Sequence, residues 1–207
     1  MTNLKVLMTI AMDRGGTFTY SEAISCGYLS QNISAMVRSG KFDKVSHGVY
    51  RLAEIPRGAY DDFVAISLWG RGKSGSGDVS SVIVSHASAL AYYSLGDFAS
   101  RIPIEVTIIG DKKITAMPPV KISRHKDLLG DKMINFQDGF FVSSPLRALI
   151  ETYTDTRQEK DAVIAAGMDA IRLGMIESPE LDESSAIIPE GLLMALKWRL
   201  NRTEARL

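Results

Sequence analysis

The chain contains few of the residues on which disulfides, metal centres and nucleophilic sites depend. Its 207 residues include one cysteine, three histidines and two tryptophans, and the formal net charge is zero. A single cysteine, Cys26, excludes an intramolecular disulfide and is typical of a reducing compartment. The histidines His47, His86 and His125 are about forty residues apart, which is not metal-ligand spacing. We therefore expect no metal site and no cofactor.

Long apolar runs are absent as well. No stretch approaches the roughly 18 apolar residues that cross a bilayer. The early run "VLMTIAM" is short and continues into "DRGG" without a small-residue cleavage site, so it predicts an amphipathic helix rather than a signal peptide. No Ser/His/Asp set has a nucleophile-elbow signature. These absences predict a cytoplasmic protein that is not an enzyme and does not enter a membrane.

Charge is distributed unevenly along the chain. Residues 1–57 carry seven Lys or Arg and four Asp or Glu, whereas the remaining residues carry 17 and 20. A mildly basic head on a mildly acidic body indicates two units, of which the head faces an anion.

Three short helices are predicted in the head. The first has an apolar stripe at helical spacing, and Gly15-Gly16 ends it. Thr19 followed by Glu22 fits a capping box and begins a second helix over about residues 20–26. The third begins at Ser30 as N-cap and stops at Gly40. The inward residues are predicted to be Leu4, Leu7, Met8 and Ala11 on the first helix, and Ile33, Met36 and Val37 on the third.

A β-hairpin follows the three helices, because "FDKVSHGVYRL" is a β-rich run interrupted at Ser46-His47-Gly48. Helix, helix, turn, helix and hairpin is the order of a winged helix-turn-helix. The outward face of the third helix is small and polar and ends in Arg38, a surface suited to a major groove. An ordinary solvated helix face has the same composition. The predicted DNA-contacting residues are Ser30, Gln31, Asn32, Ser34, Arg38, Lys41, Lys44, His47 and Arg51.

The second unit is predicted to be a larger mixed α+β domain. A proline- and glycine-containing stretch at 54–62 marks the boundary, and we place the domains at 1–56 and 57–207. Helices are predicted in "AYDDFVAISLWGR", from Ser85 to Gly96, after Ser144-Pro145, and over about 158–174 and 189–205. The strands are expected in "SVIVS", "PIEVTIIG", "PVKISRH" and "GFFVSS".

Two enzymatic motifs are present in incomplete form. "GRGKSGSG" contains Gly-Lys-Ser, but a phosphate loop requires a glycine five residues before Gly72, and position 67 is a serine. A phosphate loop also follows a strand and precedes a helix, whereas here a predicted helix precedes the loop and a strand follows it. A metal-dependent nuclease could use Glu105, Asp111 and Lys112, although the Glu-x-Lys spacing is missing. Nuclease activity, or a protein-binding adaptor that does not bind DNA, is the alternative function.

A basic ribbon lies in the otherwise acidic second unit. It is either a solvated surface or a second contact for a phosphate backbone or an acidic protein. Its residues are Lys112, Lys113, Lys121, Arg124 and Lys126.

The segment "GGTFTYSEAISCGYLSQNISAMVRSGKFDKVSHGVYRL" resembles the N-terminal winged helix of AbiEi-type antitoxins, which belong to type IV toxin–antitoxin systems linked to phage resistance. The order "VIVSHASALAYYSLGD", "IEVTI", "RHKDL", "VSSPLRALIE" resembles that family's C-terminal antitoxin domain. The chain departs from the family in the "GRGKSGSGD" loop, and it lacks the nuclease-like addition of some longer relatives.

The resemblance implies a repressor that binds inverted repeats in its own promoter and counteracts a nucleotidyltransferase-fold toxin, as in abortive infection. It places the recognition helix at 30–39 and the wing at 44–51. The expected partners are promoter DNA and, directly or only functionally, the toxin. For toxin counteraction, the basic ribbon is the candidate surface.

Overall fold

A computed structural model describes residues 3–71, 82–99, 103–109, 120–125 and 133–204. These residues form helices and strands mixed along the chain, with an N-terminal winged helix and a sheet-containing region after it. The predicted α+β class is confirmed. The predicted "GRGKSGSGD" loop lies almost entirely outside the described residues.

The described residues divide into two compact units. The first extends to Ile83 and includes Phe136–Phe141, and the second contains the other described residues. This grouping joins the helix over 61–71 to the winged helix, whereas the boundary predicted from the sequence lies at residue 56.

The winged helix contains three helices and three strands. The helices are α1 (Leu4–Met12), α2 (Tyr20–Ser25) and α3 (Ser30–Arg38), and the strands are β1 (Thr17–Thr19), β2 (Phe42–Ser46) and β3 (Val49–Leu52). The strands form an antiparallel sheet in the order β1-β3-β2. The sequence analysis missed β1, because a three-residue strand is too short to show an alternating pattern.

Thr19 begins α2 in the predicted manner. The Glu22 backbone N–H donates to Thr19 Oγ1 at 3.2 Å, and Glu22 Oε2 accepts from the Thr19 N–H at 2.8 Å. This reciprocal pair is a capping box, and it satisfies two N–H groups that the first helical turn would leave unpaired.

An aromatic cluster fills the centre of the winged helix. Phe18 of β1 lies edge-on to Phe42 of β2, with ring centroids 5.0 Å apart, and Tyr28 lies 5.9 Å from Phe42. Ile33 packs into the same core, as predicted, and Met36 and Val37 cover it from α3. Burial raises the pKa of the neighbouring Cys26 thiol, as does the nearby Glu22 charge. The core therefore fixes which face of α3 points outward.

The apolar stripe predicted for α1 is only half correct. Leu7 and Ala11 are fully buried, but Leu4 and Met8 are 46% and 39% exposed. Residues i and i+4 share a helix face, so Leu4 and Met8 lie together on the side that faces solvent.

The rest of the chain contributes six helices and five strands to the described region. The helices are α4 (Asp61–Arg71), α5 (His86–Tyr92), α6 (Pro145–Thr154), α7 (Lys160–Arg172), α8 (Ser178–Glu183) and α9 (Glu190–Glu204). The strands are β4 (Val82–Val84), β5 (Ile104–Ile109), β6 (Val120–His125), β7 (Ile134–Gln137) and β8 (Phe140–Ser143). Their sheet has the order β6-β5-β4-β8-β7, and β5 runs parallel to β6 from Ile104↔Val120 to Ile109↔His125.

Most of these elements lie where the sequence predicts them. Ser85 precedes α5 and Ser144 caps α6, where its Oγ accepts from the Arg147 N–H at 3.3 Å and Pro145 occupies the first turn. Two elements were not predicted. Strand β7 has only four residues, INFQ, with one β-branched residue among them, and α8 has only six residues around Pro179, which favours a loop by composition.

Candidate nucleic-acid interface

The outward face of α3 is polar and exposed. Ile33 is 2% exposed and anchors the helix in the core. At about 100° per residue, Gln31, Ser34 and Arg38 lie roughly 100–160° around the helix from Ile33 and so point toward solvent. All three are exposed. Arg38 lies in the last turn, where its positive charge also favours the helix C-terminus.

The start of α3 differs from the prediction. Leu29, not Ser30, is the N-cap, and Asn32 Oδ1 accepts from the Leu29 backbone N–H at 3.1 Å. The Ser30 hydroxyl is hydrogen-bonded to the Tyr20 hydroxyl, which joins the beginnings of α2 and α3. Ser30 and Asn32 therefore help to hold the helix-turn-helix together, in addition to being exposed. Tyr20 was missed by sequence reasoning, because its partner lies ten residues away.

The wing is a hairpin whose tip is tied to α2. Gly48 takes φ +78°, a conformation that glycine adopts readily in tight turns, and its carbonyl accepts from the Tyr20 N–H at 2.7 Å. The β2–β3 register shifts between Lys44 and Ser46, which is a β-bulge that bends the outer strand. Lys44 and His47 are exposed on this hairpin. Lys41, just after α3, is exposed as well.

Arg51 is the clear correction to the predicted contact set. Its side chain is 4% exposed, with Nε 3.2 Å from Asp61 Oδ2 and Nη1 3.8 Å from Asp43 Oδ2. It also donates to the Ile55 carbonyl oxygen. Opposite partners on both sides and almost no exposed surface prevent a phosphate contact. The reason is strand parity: Arg51 pairs with Asp43, and successive residues of a strand point to opposite faces, so Arg51 and Lys44 lie on opposite faces of the sheet.

Two acidic side chains near the predicted interface, Glu22 and Asp43, have arginine partners within the fold. Arg14 Nη1 donates to Glu22 Oε1 at 2.6 Å. Burial alone would raise the Glu22 pKa, but the hydrogen bonds from Arg14 and from the Thr19 N–H together lower it. Asp43 is held more loosely, because its Oδ2 lies 3.8 Å from Arg51 Nη1 and Arg51 is also paired with Asp61 at 3.2 Å. The exposed cations of α3 and the wing are consequently not offset by Glu22 and are offset only in part by Asp43.

The predicted basic ribbon is not a single free surface. Lys121 Nζ donates to Asp155 Oδ2 at 3.0 Å and to Glu105 Oε1, and these partners raise its pKa although burial opposes the shift. The Lys121 charge is thus paired with two carboxylates inside the second unit. Arg124 is exposed on β6. Lys112, Lys113 and Lys126 lie outside the described residues.

Glu105, a predicted residue of the alternative nuclease site, has a structural role. Its Oε2 accepts from the Ala87 N–H at 2.8 Å, and its backbone N–H donates to Ser88 Oγ at 2.9 Å, so it anchors α5. Asp111 and Lys112, the other two residues of that site, lie outside the described residues. In the part of the chain that the structure describes, no group of three His, Cys, Asp or Glu is placed to hold a metal ion.

A buried polar network in the second unit was missed by sequence reasoning. Arg147 Nε donates to Glu151 Oε1 at 2.9 Å, and Glu151 also accepts from Ser143 Oγ at 2.8 Å and Thr107 Oγ1 at 3.2 Å. Arg147 and Glu151 are each 1% exposed. The spacing of Arg147 and Glu151 by four residues was the available signal, but such a pair is usually on a helix surface.

Comparison with known proteins supports the family resemblance over the winged helix. Residues 5–53 match the family model described as "Transcriptional regulator, AbiEi antitoxin". The match covers α1 to β3, which confirms the predicted resemblance for this part of the chain. No curated protein matches the chain.

The crystal structure of the RV2827C protein from Mycobacterium tuberculosis has a similar fold. The TM-score is 0.61 at 13% identity, over 96% of this chain and 75% of that one. At this identity the likeness concerns the fold alone. Within the described residues, no helix has the length and apolar character needed to span a bilayer.

Proposed function

We propose that this protein is a transcriptional repressor and antitoxin that reads promoter DNA with α3 and contacts the phosphate backbone with its wing. The observation that carries the proposal is the charge arrangement of the winged helix. Arg38, Lys41 and Lys44 are exposed, while Glu22 and Asp43 face arginines of the fold. A surface with cations that nearby carboxylates offset only in part attracts a polyanion.

The roles differ along this surface. Gln31 and Arg38 lie on the exposed face of α3 and have side chains able to pair with purine edges in the major groove. Lys41, Lys44 and His47 flank that helix and would contact phosphates, which position the protein without reading sequence. His47 can donate a hydrogen bond whether it is neutral or charged.

The antitoxin part of the proposal is supported by the family match and by the order of motifs in the second unit. We infer that the operon encodes a nucleotidyltransferase-like toxin, which this protein counteracts either by contact or only functionally. Binding to inverted repeats follows from the same resemblance and predicts two copies on the promoter.

Separate assays of repression and protection test the proposal. A reporter driven by the upstream DNA measures repression, and growth during induction of the neighbouring toxin gene measures protection. We expect the unaltered chain to repress and to protect, and Arg38→Ala to lose repression. Exposed Lys5 on α1 provides the matched control, Lys5→Ala, which should repress normally. A chain that represses no reporter and restores no growth contradicts both parts.

A further inference from the structure

The second unit contains an apolar cleft with an acidic rim, and neither the family match nor the DNA-binding proposal uses it. Its volume is about 640 Å³, which is in the range of clefts that bind a ligand. The apolar lining includes Met133 and Met175, together with Pro179 and Ile187. Met175 and Ile187 are each 38% exposed. Methionine side chains adapt their shape to different apolar partners.

Three glutamates line the same cleft at intervals of three residues. Glu177 is the N-cap of α8, Glu180 lies in its first turn, and Glu183 is its last residue. Residues three apart lie on neighbouring positions of one helix face, so the carboxylates form a row. Among the described residues that line the cleft there is no Lys, Arg or His.

Stabilisation of α8 does not account for this row. Carboxylates near a helix N-terminus are favourable, which explains Glu177 and Glu180. Glu183 lies at the C-terminal end, where a negative charge is unfavourable. Its neighbour Asp182 is paired with Lys197 at 2.7 Å, whereas the three cleft glutamates form no ion pair with a described residue. Burial raises the pKa of Glu180, and the Glu177 charge raises it further.

We propose that this cleft docks a basic, apolar segment of a partner protein, with apolar side chains between Met175 and Ile187 and cations along the glutamate row. Charge complementarity selects the occupant, because a row of three carboxylates attracts a cationic segment, repels an acidic one and gives a neutral one no charge pairing. A helix that has apolar residues at intervals of three and four on one face, and lysines at the same intervals beside them, can meet both features of the cleft. This inference is independent of DNA binding by the winged helix.

A fluorescent amphipathic peptide of lysine and leucine tests the proposal with the full chain. We expect binding by fluorescence anisotropy, and we expect the triple variant Glu177→Gln/Glu180→Gln/Glu183→Gln to bind about tenfold or more weakly. The matched control is Glu159→Gln/Asp161→Asn/Glu190→Gln, which removes the same charge from exposed positions outside the cleft lining. It should bind like the unaltered chain.

The apolar part of the cleft has its own variant, Ile187→Ser, which keeps every charge. It should weaken binding at low and high salt alike, whereas the glutamate variant should lose its effect as salt screens the charges. Circular dichroism of each variant verifies folding. Equal peptide affinity for the cleft triple and the control triple, or equal affinity of the unaltered chain for a glutamate-leucine peptide, would overturn the proposal. DNA binding measured in parallel separates this result from the winged-helix function.

Discussion

At the scale of single residues, the structure divides the basic side chains of the winged helix into exposed and internal ones. Lys44 and Arg51 are neighbours on the hairpin by sequence pattern, yet Lys44 is exposed and Arg51 is 3% exposed. The sequence predicts that both are charged, but it does not show that Arg51 meets Asp61, because that carboxylate belongs to α4. Residue-scale prediction fails where the partner is distant in the chain.

Lys44→Ala and Arg51→Ala should therefore affect different properties: the first DNA affinity, the second stability. Lys44→Ala removes one phosphate contact, so affinity should fall on any DNA sequence and the slope of log K against log salt should decrease by about 1. Arg51→Ala leaves Asp61 without its partner and should lower the free energy of unfolding by about 3 kcal/mol or more. Salt titrations and urea denaturation measure the two effects. A reduced salt slope for a fully folded Arg51→Ala protein would contradict the assignment.

Arg38 is predicted to read a base. Because its exposed guanidinium can pair with the O6 and N7 atoms of guanine, Arg38→Ala should weaken binding to the promoter by about 1–3 kcal/mol and leave binding to unrelated DNA less affected. A gel shift with promoter and scrambled duplexes measures this difference. If the loss is equal on both duplexes, Arg38 contacts only phosphate. Lys5→Ala is again the control for loss of one positive charge.

At the scale of secondary structure, local capping was predictable for α2 and α6 but not for α3, where Leu29 rather than Ser30 is the N-cap, and non-local pairing was not predictable. Thr19 with Glu22, and Ser144 with Pro145, are signals contained within four residues, and the structure confirms both. Strand β1 exists because Phe18 pairs with Tyr50, which lies 32 positions later in the chain, a contact without a local signal. The buried Arg147–Glu151 pair likewise depends on non-local contacts, because Thr107 and Ser143, on two different strands, donate hydrogen bonds to Glu151.

The capping box should make the stability of the winged helix depend on pH. The folded-state pKa of Glu22 is lowered, so its carboxylate adds to the free energy of unfolding above the ordinary pKa of 4.5. That stabilisation is lost as the pH falls below this value. Glu22→Gln keeps a hydrogen-bonding side chain but should flatten that dependence. Thr19→Ala should cost about 1 kcal/mol at neutral pH. Thermal unfolding at several pH values measures both, and an unchanged pH profile for Glu22→Gln would contradict the account.

The network around α6 should be strongly coupled. Arg147→Leu leaves the Glu151 carboxylate buried without its cation, which should lower the free energy of unfolding by about 3–5 kcal/mol. The double variant Arg147→Leu/Glu151→Leu removes both charges and should recover part of that loss. Urea denaturation of the two single variants and the double variant measures the coupling. Additive effects would show that the pair does not act as a unit.

At the scale of the whole molecule, charge is arranged by unit and by pairing rather than by composition. The zero net charge of the chain conceals an exposed cationic surface on the winged helix and a glutamate row on α8. Sequence counting located the first but not the second. It also counted Lys121 as surface charge, although Glu105 and Asp155 hold it. Counts of charge along a chain do not show which charges remain available.

The fold class, the winged helix and most helices of the second unit were predictable, because periodicity and caps are local properties of sequence. The exposed face of α3 was predictable for the same reason, once Ile33 was assigned to the core. The positions of Arg51, Lys121 and the glutamate row depend on partners or neighbours that only the tertiary structure brings together. The sequence therefore predicted the exposed face of α3 and the wing, whereas the structure removed Arg51 from the predicted contact residues.

The measurement that tests the central claim most directly is the affinity of the full chain for the DNA upstream of its own gene, compared with a scrambled duplex at the same salt concentration. Because α3 is proposed to read base edges, the account predicts a preference for the upstream DNA of about a thousandfold or more, reduced by Arg38→Ala and retained by Lys5→Ala. Equal affinity for the two duplexes, with a folded protein, would contradict it.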